Sequence, residues 1–534
     1  MWTILKTVAI IFTVSLLWSC SLSQKAAMHQ PSKEAYYYYL RAIEAEKSDD
    51  FEETLKYLHL ALEEDPGSLY LRTETSRVLF KAGREDEAVS MAEGALEEDP
   101  DYLPALSLLG KIYATQEDIE KATNIYKKII KLDPSKITNY ILLSHFYLIE
   151  KRYDNAVKVL NEAVKKEPWN IRLKYSLGRA YFEMNEFEKA IREFEGAAEL
   201  DMPYEPLYFY LGIAYEEIGN SDKAIENYEK AINHIPHNAR LRERLVNLYL
   251  KKESTDKVIE HLTGIIRLEP ENTEARLTLS DVYADSKKFQ DAVSELRFII
   301  SKEPENIKAL YKLSNALTQM EKFNEAIEEF KKLLGLLPEN PDAYLHIALL
   351  YLQIKDYLNA ESMFKKGLAI APEHVELNFR LAVVYEKTDR HDEMISQLKK
   401  TLGIDPNHVD ALNYLGYSYA DKGINLDEAL KLVERAIELA PDKGYIRDSL
   451  AWVYFKKGRH SEALKEIKKV TEIMKDDPVV LEHLGDIHMK LKNREAAINA
   501  WKKSLEFHER EEGLKERVEK KIKDSLQDLE SGNK

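Results

Sequence analysis

The sequence has little cysteine, glycine and proline. It contains one cysteine in 534 residues, so no disulfide can form within the chain. Its 19 glycines and 17 prolines fall below the average usage of about 7% and 5%. This scarcity argues against a loop-rich all-β fold and against glycine-dependent phosphate loops. Strongly apolar runs are also scarce, since the only one extends from Val8 to Trp18.

Positive charge is in deficit. Lys and Arg number 77 against 93 Asp and Glu, which gives a formal net charge of −16. Nucleic-acid binding relies on clustered Lys and Arg, so we expect no nucleic-acid partner. The nucleotide motifs G-x-x-x-x-G-K-[ST] and G-x-G-x-x-G and the metalloprotease motif H-E-x-x-H are absent as well. We therefore expect no catalytic residues, no metal site and no cofactor, in a protein that is not an enzyme.

The N-terminal segment has the layout of an export signal. Lys6 precedes the apolar stretch, which is shorter than the roughly 20 residues that span a bilayer. Leu17, Trp18, Ser19 and Cys20 resemble the lipobox of bacterial lipoproteins, although Trp18 is larger than the usual residue there. The resemblance implies a signal peptide over 1–19 and a lipidated Cys20 that begins a linker over 20–34. An uncleaved membrane anchor and an ordinary cleaved signal are the alternatives.

The residue after the cysteine bears on location. By resemblance to the sorting rule of Gram-negative lipoproteins, Ser21 favours the periplasmic face of the outer membrane; anchoring in the inner membrane is the alternative. Each buried CH₂ of an attached palmitate or similar acyl chain contributes about 0.8 kcal/mol of membrane affinity. We therefore expect the membrane to be contacted through the N-terminal lipid.

Most prolines recur at a fixed interval. They stand at positions 66, 100, 134, 168, 203, 236, 270, 304, 338, 372, 406, 441 and 478. Proline disfavours helical geometry in the residue before it and cannot donate a hydrogen bond to a preceding turn. This spacing predicts a helical unit repeated about every 34 residues.

Three further columns share this period. Ten tyrosines occupy one inward position: Tyr113, Tyr147, Tyr181, Tyr215, Tyr249, Tyr283, Tyr351, Tyr385, Tyr419 and Tyr454. A small residue precedes most of them by three positions, as at Gly110, Ser144, Gly178, Gly212, Ala348, Ala382, Gly416 and Ala451. Alanine follows most of them by nine, as at Ala122, Ala156, Ala190, Ala224, Ala292 and Ala360. Small side chains at two facing positions allow antiparallel helices to approach closely.

Leu109-Gly110, Tyr113, Ala122, Tyr126 and Pro134 resemble the tetratricopeptide repeat, which has 34 residues. The resemblance implies an all-α fold, a right-handed superhelical solenoid of about 14 helix-turn-helix repeats over 35–511. A C-terminal capping helix and short tail are expected over 512–534. The predicted repeats start at Ala35, Leu69, Leu103, Ile137, Ile171, Glu205, Ala239, Thr273, Ile307, Pro341, Val375, Val409, Gly444 and Pro478.

The resemblance also places partner-facing residues at the second, fifth and ninth positions of each repeat, in a concave groove. In repeats 2 to 5 the ninth position holds Arg77, Lys111, His145 and Arg179. A positive column of this kind fits acidic side chains or a C-terminal carboxylate of a partner protein or peptide. The alternative is that these are solvated charges that balance nearby acidic residues.

Repeats 10 to 13 have apolar residues in the same columns. They are Leu345, Leu349, Phe379, Val383, Tyr417 and Trp452. Aromatic anchors dominate interface energetics, so a peptide-binding stripe is one hypothesis. Packing between neighbouring helices is the other, because apolar residues at helical spacing are more often core.

These patterns favour a non-catalytic scaffold, anchored by lipid on the periplasmic side of the envelope, that binds partner peptides in its groove. Similar repeat lipoproteins suggest a role in assembly or export of envelope components. A regulatory or substrate-recruiting subunit of a separate envelope enzyme is a second hypothesis. A cytoplasmic chaperone adaptor is a third, and it requires that the N-terminal segment is not a signal.

Overall fold

The computed structural model describes residues 32–200 and 205–532, with side chains except at 205 and 528–532. Within these ranges the regular structure is entirely helical, with 29 α-helices, one 3₁₀ helix and no strand. The predicted signal peptide, Cys20 and nearly all of the linker lie outside the described residues. None of the helices in the described part of the chain is both long and apolar enough to cross a membrane.

The α-helices follow one another at short intervals. The first half of them are α1 Lys33–Glu46, α2 Phe51–Glu64, α3 Leu69–Lys81, α4 Glu85–Glu98, α5 Leu103–Thr115, α6 Ile119–Leu132, α7 Ile137–Ile149, α8 Tyr153–Val164, α9 Ile171–Glu183, α10 Phe187–Ala198, α11 Glu205–Glu217, α12 Ser221–His234, α13 Ala239–Lys251 and α14 Thr255–Leu268. The others are α15 Thr273–Asp285, α16 Phe289–Lys302, α17 Ile307–Gln319, α18 Phe323–Leu336, α19 Pro341–Gln353, α20 Tyr357–Ile370, α21 Val375–Lys387, α22 His391–Ile404, α23 Val409–Lys422, α24 Leu426–Leu439, α25 Gly444–Lys456, α26 His460–Ile473, α27 Pro478–Lys490, α28 Arg494–Leu505 and α29 Leu514–Gly532.

Consecutive helices form hairpins, each of which corresponds to one predicted repeat. In 13 of the 14 hairpins the first helix begins at the residue predicted from the sequence, and only α1 begins earlier, at Lys33. The inserted residue in repeat 12 lengthens α23, which ends at Lys422. The prediction of an all-helical chain of about 14 two-helix repeats is therefore confirmed.

Two local features set the helix boundaries: N-cap side chains and left-handed turn residues. Five first helices have an asparagine N-cap whose side chain accepts a hydrogen bond from a backbone N–H in the first turn: Asn170, Asn238, Asn272, Asn306 and Asn340. The turn between the two helices of every hairpin has a residue with positive φ at position 15 of the repeat, and the turn of repeat 12 has a second one, Asn425. The residues at position 15 are Asp49, Gly83, Glu117, Lys151, Asn185, Gly219, Glu253, Lys287, Glu321, Lys355, Asp389, Gly423, Gly458 and Lys492. A left-handed residue ends the first helix and reverses the chain.

The small-residue column lies where the two helices of a hairpin meet. A Cβ atom at Gly178 would lie 2.5 Å from the ring of Phe194, and one at Gly212 would overlap the ring of Tyr228. Both rings are fully buried. Because the glycine of the first helix has no Cβ, an aromatic ring of the second helix can occupy that space.

The last helix, α29, packs against the last hairpin. Leu514 and Val518 are completely buried and form a cluster with Ala497 and Trp501 of α28. These contacts cover the apolar side of α28.

Contacts divide the chain into two compact units, residues 1–261 and 262–534. Within the described part of the first unit, the core consists of clusters around the tyrosine and alanine columns. In the second unit a single cluster extends from Ala348 to Val453. Each unit is described by itself below.

Candidate docking surface

The predicted partner-facing positions are open in repeats 3 and 4 of the first unit. In α5 the exposed residues are Pro104, Ser107, Lys111 and Thr115, at positions two, five, nine and thirteen of the repeat. The same positions of α7 hold Thr138, Ile141, His145 and Ile149, of which only Ile141 is half-buried. We call these eight residues the first-helix face.

The first-helix face is mostly uncharged: three apolar residues and three hydroxyl side chains accompany the ammonium of Lys111 and the imidazole of His145. Apart from Lys111, α5 has no Lys, Arg, Asp or Glu, and α7 has none at all. The Ile149 side chain is 51% exposed. Such a surface offers contact area for apolar side chains and, at Lys111 and His145, a place for a carboxylate.

Arg77, in the same column of repeat 2, is already paired. Its Nη1 and Nη2 atoms lie 2.7 and 2.8 Å from the two carboxylate oxygens of Glu46, and its Nε donates to Glu74 at 2.9 Å. Hydrogen bonding from Arg77 holds the pKa of Glu46 at about 2, although burial opposes that shift. Arg77 therefore joins α1 to α3, which matches the alternative of a charge that balances nearby acids.

Arg179, in repeat 5, packs against an aromatic ring. Its guanidinium carbon is 4.4 Å from the ring centroid of Tyr210, and its Nη2 atom is 3.2 Å from Glu183. The Tyr210 ring also contacts Phe182, at 5.5 Å between centroids. Arg179 is half-buried and keeps only part of its surface for a partner. The positive column therefore reduces to Lys111 and His145 as its exposed members.

Apolar residues at the fifth position of repeats 4 to 6 were missed by the sequence reasoning. They are Ile141, Tyr175 and Phe209; Tyr175 is buried and the other two are half-buried. The fifth column of repeats 4 and 5, where the ninth column is basic, would have indicated Ile141 and Tyr175, and Phe209 follows in repeat 6. Ile141 and Phe209 keep part of their apolar surface exposed, whereas Tyr175 does not.

The apolar stripe of the second unit is mostly packed within the protein. Phe379 and Trp452 are only 4% and 8% exposed, and a partner could reach them only if neighbouring helices moved. Leu345, Leu349, Val383 and Tyr417 are half-buried against the same core cluster. The physical reason at repeats 12 and 13 is that α23 and α25 pack directly against each other. A partner-binding role for these six residues stays a prediction.

The described ranges contain no group of three His, Cys, Asp or Glu side chains arranged to hold a metal ion. The sequence contains no catalytic motif that would assign a nucleophile or a general base. The first-helix face offers an ammonium, an imidazole and uncharged side chains for contact with a partner.

Family profiles identify the repeats. Profiles described as tetratricopeptide repeat or TPR repeat match residues 79–141, 147–211, 206–238, 314–355, 341–374, 375–408 and 424–482. The chain contains tetratricopeptide repeats. These matches together span more than half of the chain and follow the hairpins of the structure.

Solved structures with similar folds are remote in sequence. The APC/C hetero-tetramer Cut9–Hcn1 is 14% identical over 86% of this chain and 96% of that chain, with a TM-score of 0.38. Naa15/Naa10 bound to HypK-THB is 16% identical over 92% and 80%, with a TM-score of 0.36. YrrB, described as a TPR protein with an unusual peptide-binding site, is 20% identical over 34% and 92%, with a TM-score of 0.31. TM-scores this low support no inference about function, and no curated protein matches the sequence.

Proposed function

We propose that this tetratricopeptide-repeat chain is a non-catalytic scaffold that binds partner proteins or peptides through the first-helix face of repeats 3 and 4. The observation that supports it best is the coincidence of two patterns. The second and ninth positions, which the repeat family uses for ligands, are exposed in α5 and α7, and Lys111 is the only Lys, Arg, Asp or Glu in those two helices. An uncharged surface with one ammonium and one imidazole suits a peptide that carries a carboxylate.

We also propose that the chain is anchored by lipid at Cys20 on the periplasmic side of the bacterial envelope, and takes part in assembly or export of envelope components. The support is the order of Lys6, the apolar stretch and Cys20 in the sequence. Two acyl signals together give stable anchoring, so a lipidated chain works at a surface.

Metabolic labelling with a palmitate analogue tests the anchor. The wild-type chain is expected to carry the label in the membrane fraction, and Cys20→Ser is expected to lose it, because the acyl chains attach to that thiol. Equal labelling of both chains would refute lipidation at Cys20. A chain that remains soluble and unlabelled would favour the cytoplasmic adaptor.

Charge reversal tests the docking surface. Lys111→Glu combined with His145→Glu should reduce capture of partners from the envelope fraction, because two carboxylates would replace the groups that attract an acidic partner. Lys131→Glu, on the exposed side of α6, is the matched control and should leave capture unchanged. Unchanged capture by the double variant, with intact helical content, would show that partners bind elsewhere. Recovery of an envelope enzyme as the dominant partner would favour the enzyme-subunit hypothesis.

A further inference from the structure

Two buried ionisable side chains connect the last two repeats. The Nδ1 atom of His483, on α27, lies 3.0 and 3.1 Å from the two carboxylate oxygens of Asp448, on α25. His483 is 5% exposed and Asp448 is 8% exposed. Buried ionisable groups are costly unless they are paired, so this contact bears directly on how repeat 14 is held.

The pair also supports an aromatic stack. The His483 ring lies 4.1 Å from the Trp452 ring, measured between centroids, at an angle of 19°. The Trp452 Nε1–H donates to Asp421 at 3.2 Å, and the Tyr417 ring is 6.4 Å from His483. Side chains of repeats 12, 13 and 14 thus meet at this one imidazole.

The charges that act on the imidazole are acidic: Asp448 on α25, and Glu482 and Asp486 on α27. The other titratable and charged groups contact its neighbours: Tyr417 and Asp421 on α23, Lys456 on α25, and Arg517 and Lys521 on α29.

Arg517 and Lys521 already pair with Glu482, and Lys521 also pairs with Asp486 at 2.6 Å. Among the described residues, His483 is the one ion-pair partner of Asp448. Protonation of His483 is therefore what neutralises the Asp448 carboxylate.

The balance of these effects favours the protonated ring. Burial is the largest single effect and disfavours the imidazolium, but the charge and hydrogen bond of Asp448, together with the charges of Asp486 and Glu482, outweigh it and raise the pKa of His483 above its ordinary value. At neutral pH the folded chain thus holds this proton more firmly than an exposed histidine would.

We propose that His483 and Asp448 form a pH-sensitive latch that holds repeat 14 and α29 on repeat 13. The latch is closed when His483 carries its proton and is weakened when the proton leaves. Its stabilisation is fully present below the pKa of an exposed histidine and is lost as the pH rises through the higher pKa of the folded chain. Apolar contacts of Val480 and Ile487 with α26 remain, so the junction opens more often rather than dissociating.

The latch has a consequence for the apolar stripe. Opening uncovers the face of Trp452 that His483 now covers, and Trp452 is one of the predicted partner-contacting residues. This consequence rests on the predicted partner-binding role of the apolar stripe, whereas the latch itself does not.

Hydrogen exchange of the full chain tests the latch. Protection of the amides in α27 to α29 is measured between about pH 6 and pH 9, on either side of the ordinary pKa of histidine, in the wild type and in His483→Gln. At each pH the ratio of the wild-type exchange rate to the variant exchange rate cancels the intrinsic pH dependence of exchange. This ratio equals the ratio of the two opening equilibrium constants. We expect this ratio to change tenfold for each unit by which folding raises the pKa of His483.

Two further variants keep the test decisive. His374→Gln is the matched control, because His374 lies 3.2 Å from the exposed carboxylate of Asp342. Its profile should follow the wild type. Asp448→Asn should lower the pKa of His483, followed by NMR of ¹³C-labelled histidine and assigned with His483→Gln. A ratio that stays constant with pH, or an unchanged titration of His483 in Asp448→Asn, would overturn the latch.

Discussion

At the scale of single residues, the closest packing in the protein depends on side chains that are small or absent. The 34-residue column of small residues predicted this, since its spacing places each member opposite the second helix of its hairpin. Gly212 shows the reason most clearly. The ring of Tyr228 occupies the space where a Cβ would stand, and its hydroxyl donates to Glu216 at 2.7 Å.

Gly212→Ala is therefore expected to destabilise the first unit by about 1–3 kcal/mol, because the added methyl group forces the buried Tyr228 ring out of position. Urea unfolding followed by circular dichroism measures the change. Gly335→Ala is the control, since a Cβ at that exposed helical position meets no atom within 4 Å. It should be neutral or stabilising by up to about 1 kcal/mol. Equal effects of the two substitutions would contradict the close-packing explanation.

The partners of individual charges could not be predicted in the same way. The sequence places Arg77 in a basic column, but the carboxylate that neutralises it belongs to Glu46 of the preceding repeat. Asp448 and His483 are likewise 35 residues apart. Such pairs depend on how one first helix lies beside the next, and the repeat period of the sequence does not contain that information.

At the scale of helices and turns, the repeat is regular even where its sequence is not. Each hairpin has its left-handed residue at the same position, yet only Gly83, Gly219, Gly423 and Gly458 of these residues are glycines. Composition alone therefore gave no sign of the turn geometry. A side chain in this left-handed conformation is strained, so replacing such a residue with glycine is expected to increase stability.

Lys287, with φ of 58°, is an exposed example. Lys287→Gly should stabilise the second unit by roughly 1 kcal/mol, because the relief of left-handed strain exceeds the entropy that glycine loses on folding. Gly458→Ala, at φ of 74°, should destabilise it by a similar amount. Thermal unfolding of both variants beside the wild type gives the comparison. A loss of stability in Lys287→Gly would show that its side chain has a role that the turn does not explain.

Exposure of a column also varies from helix to helix. Positions five and nine are Ser107 and Lys111 in repeat 3, where both are exposed, but Asp448 and Trp452 in repeat 13, where both are buried. The sequence correctly gives the direction in which a column faces along its own helix. Whether a residue in that column is exposed to solvent depends on the neighbouring first helix. The sequence alone therefore could not tell that members of the basic column are exposed while members of the apolar stripe are buried.

At the scale of the whole molecule, two-helix repeats are each too small to bury their own apolar side and obtain a core by stacking. Function on a shared fold resides in the sites that the fold presents. For this chain we propose the first-helix face of repeats 3 and 4 as that site.

Site-specific photo-crosslinking in the full chain, in its own cells, tests this assignment most directly. A photoreactive residue is placed at Ser107 or Thr138 on the first-helix face, and at Asn124 or Lys158 on the exposed side of the second helices as controls. We expect Ser107 and Thr138 to give crosslinks to the same partner protein, Lys111→Glu with His145→Glu to remove them, and the two control positions to give none. Crosslinks of equal yield from all four positions, or from the controls alone, would contradict this assignment.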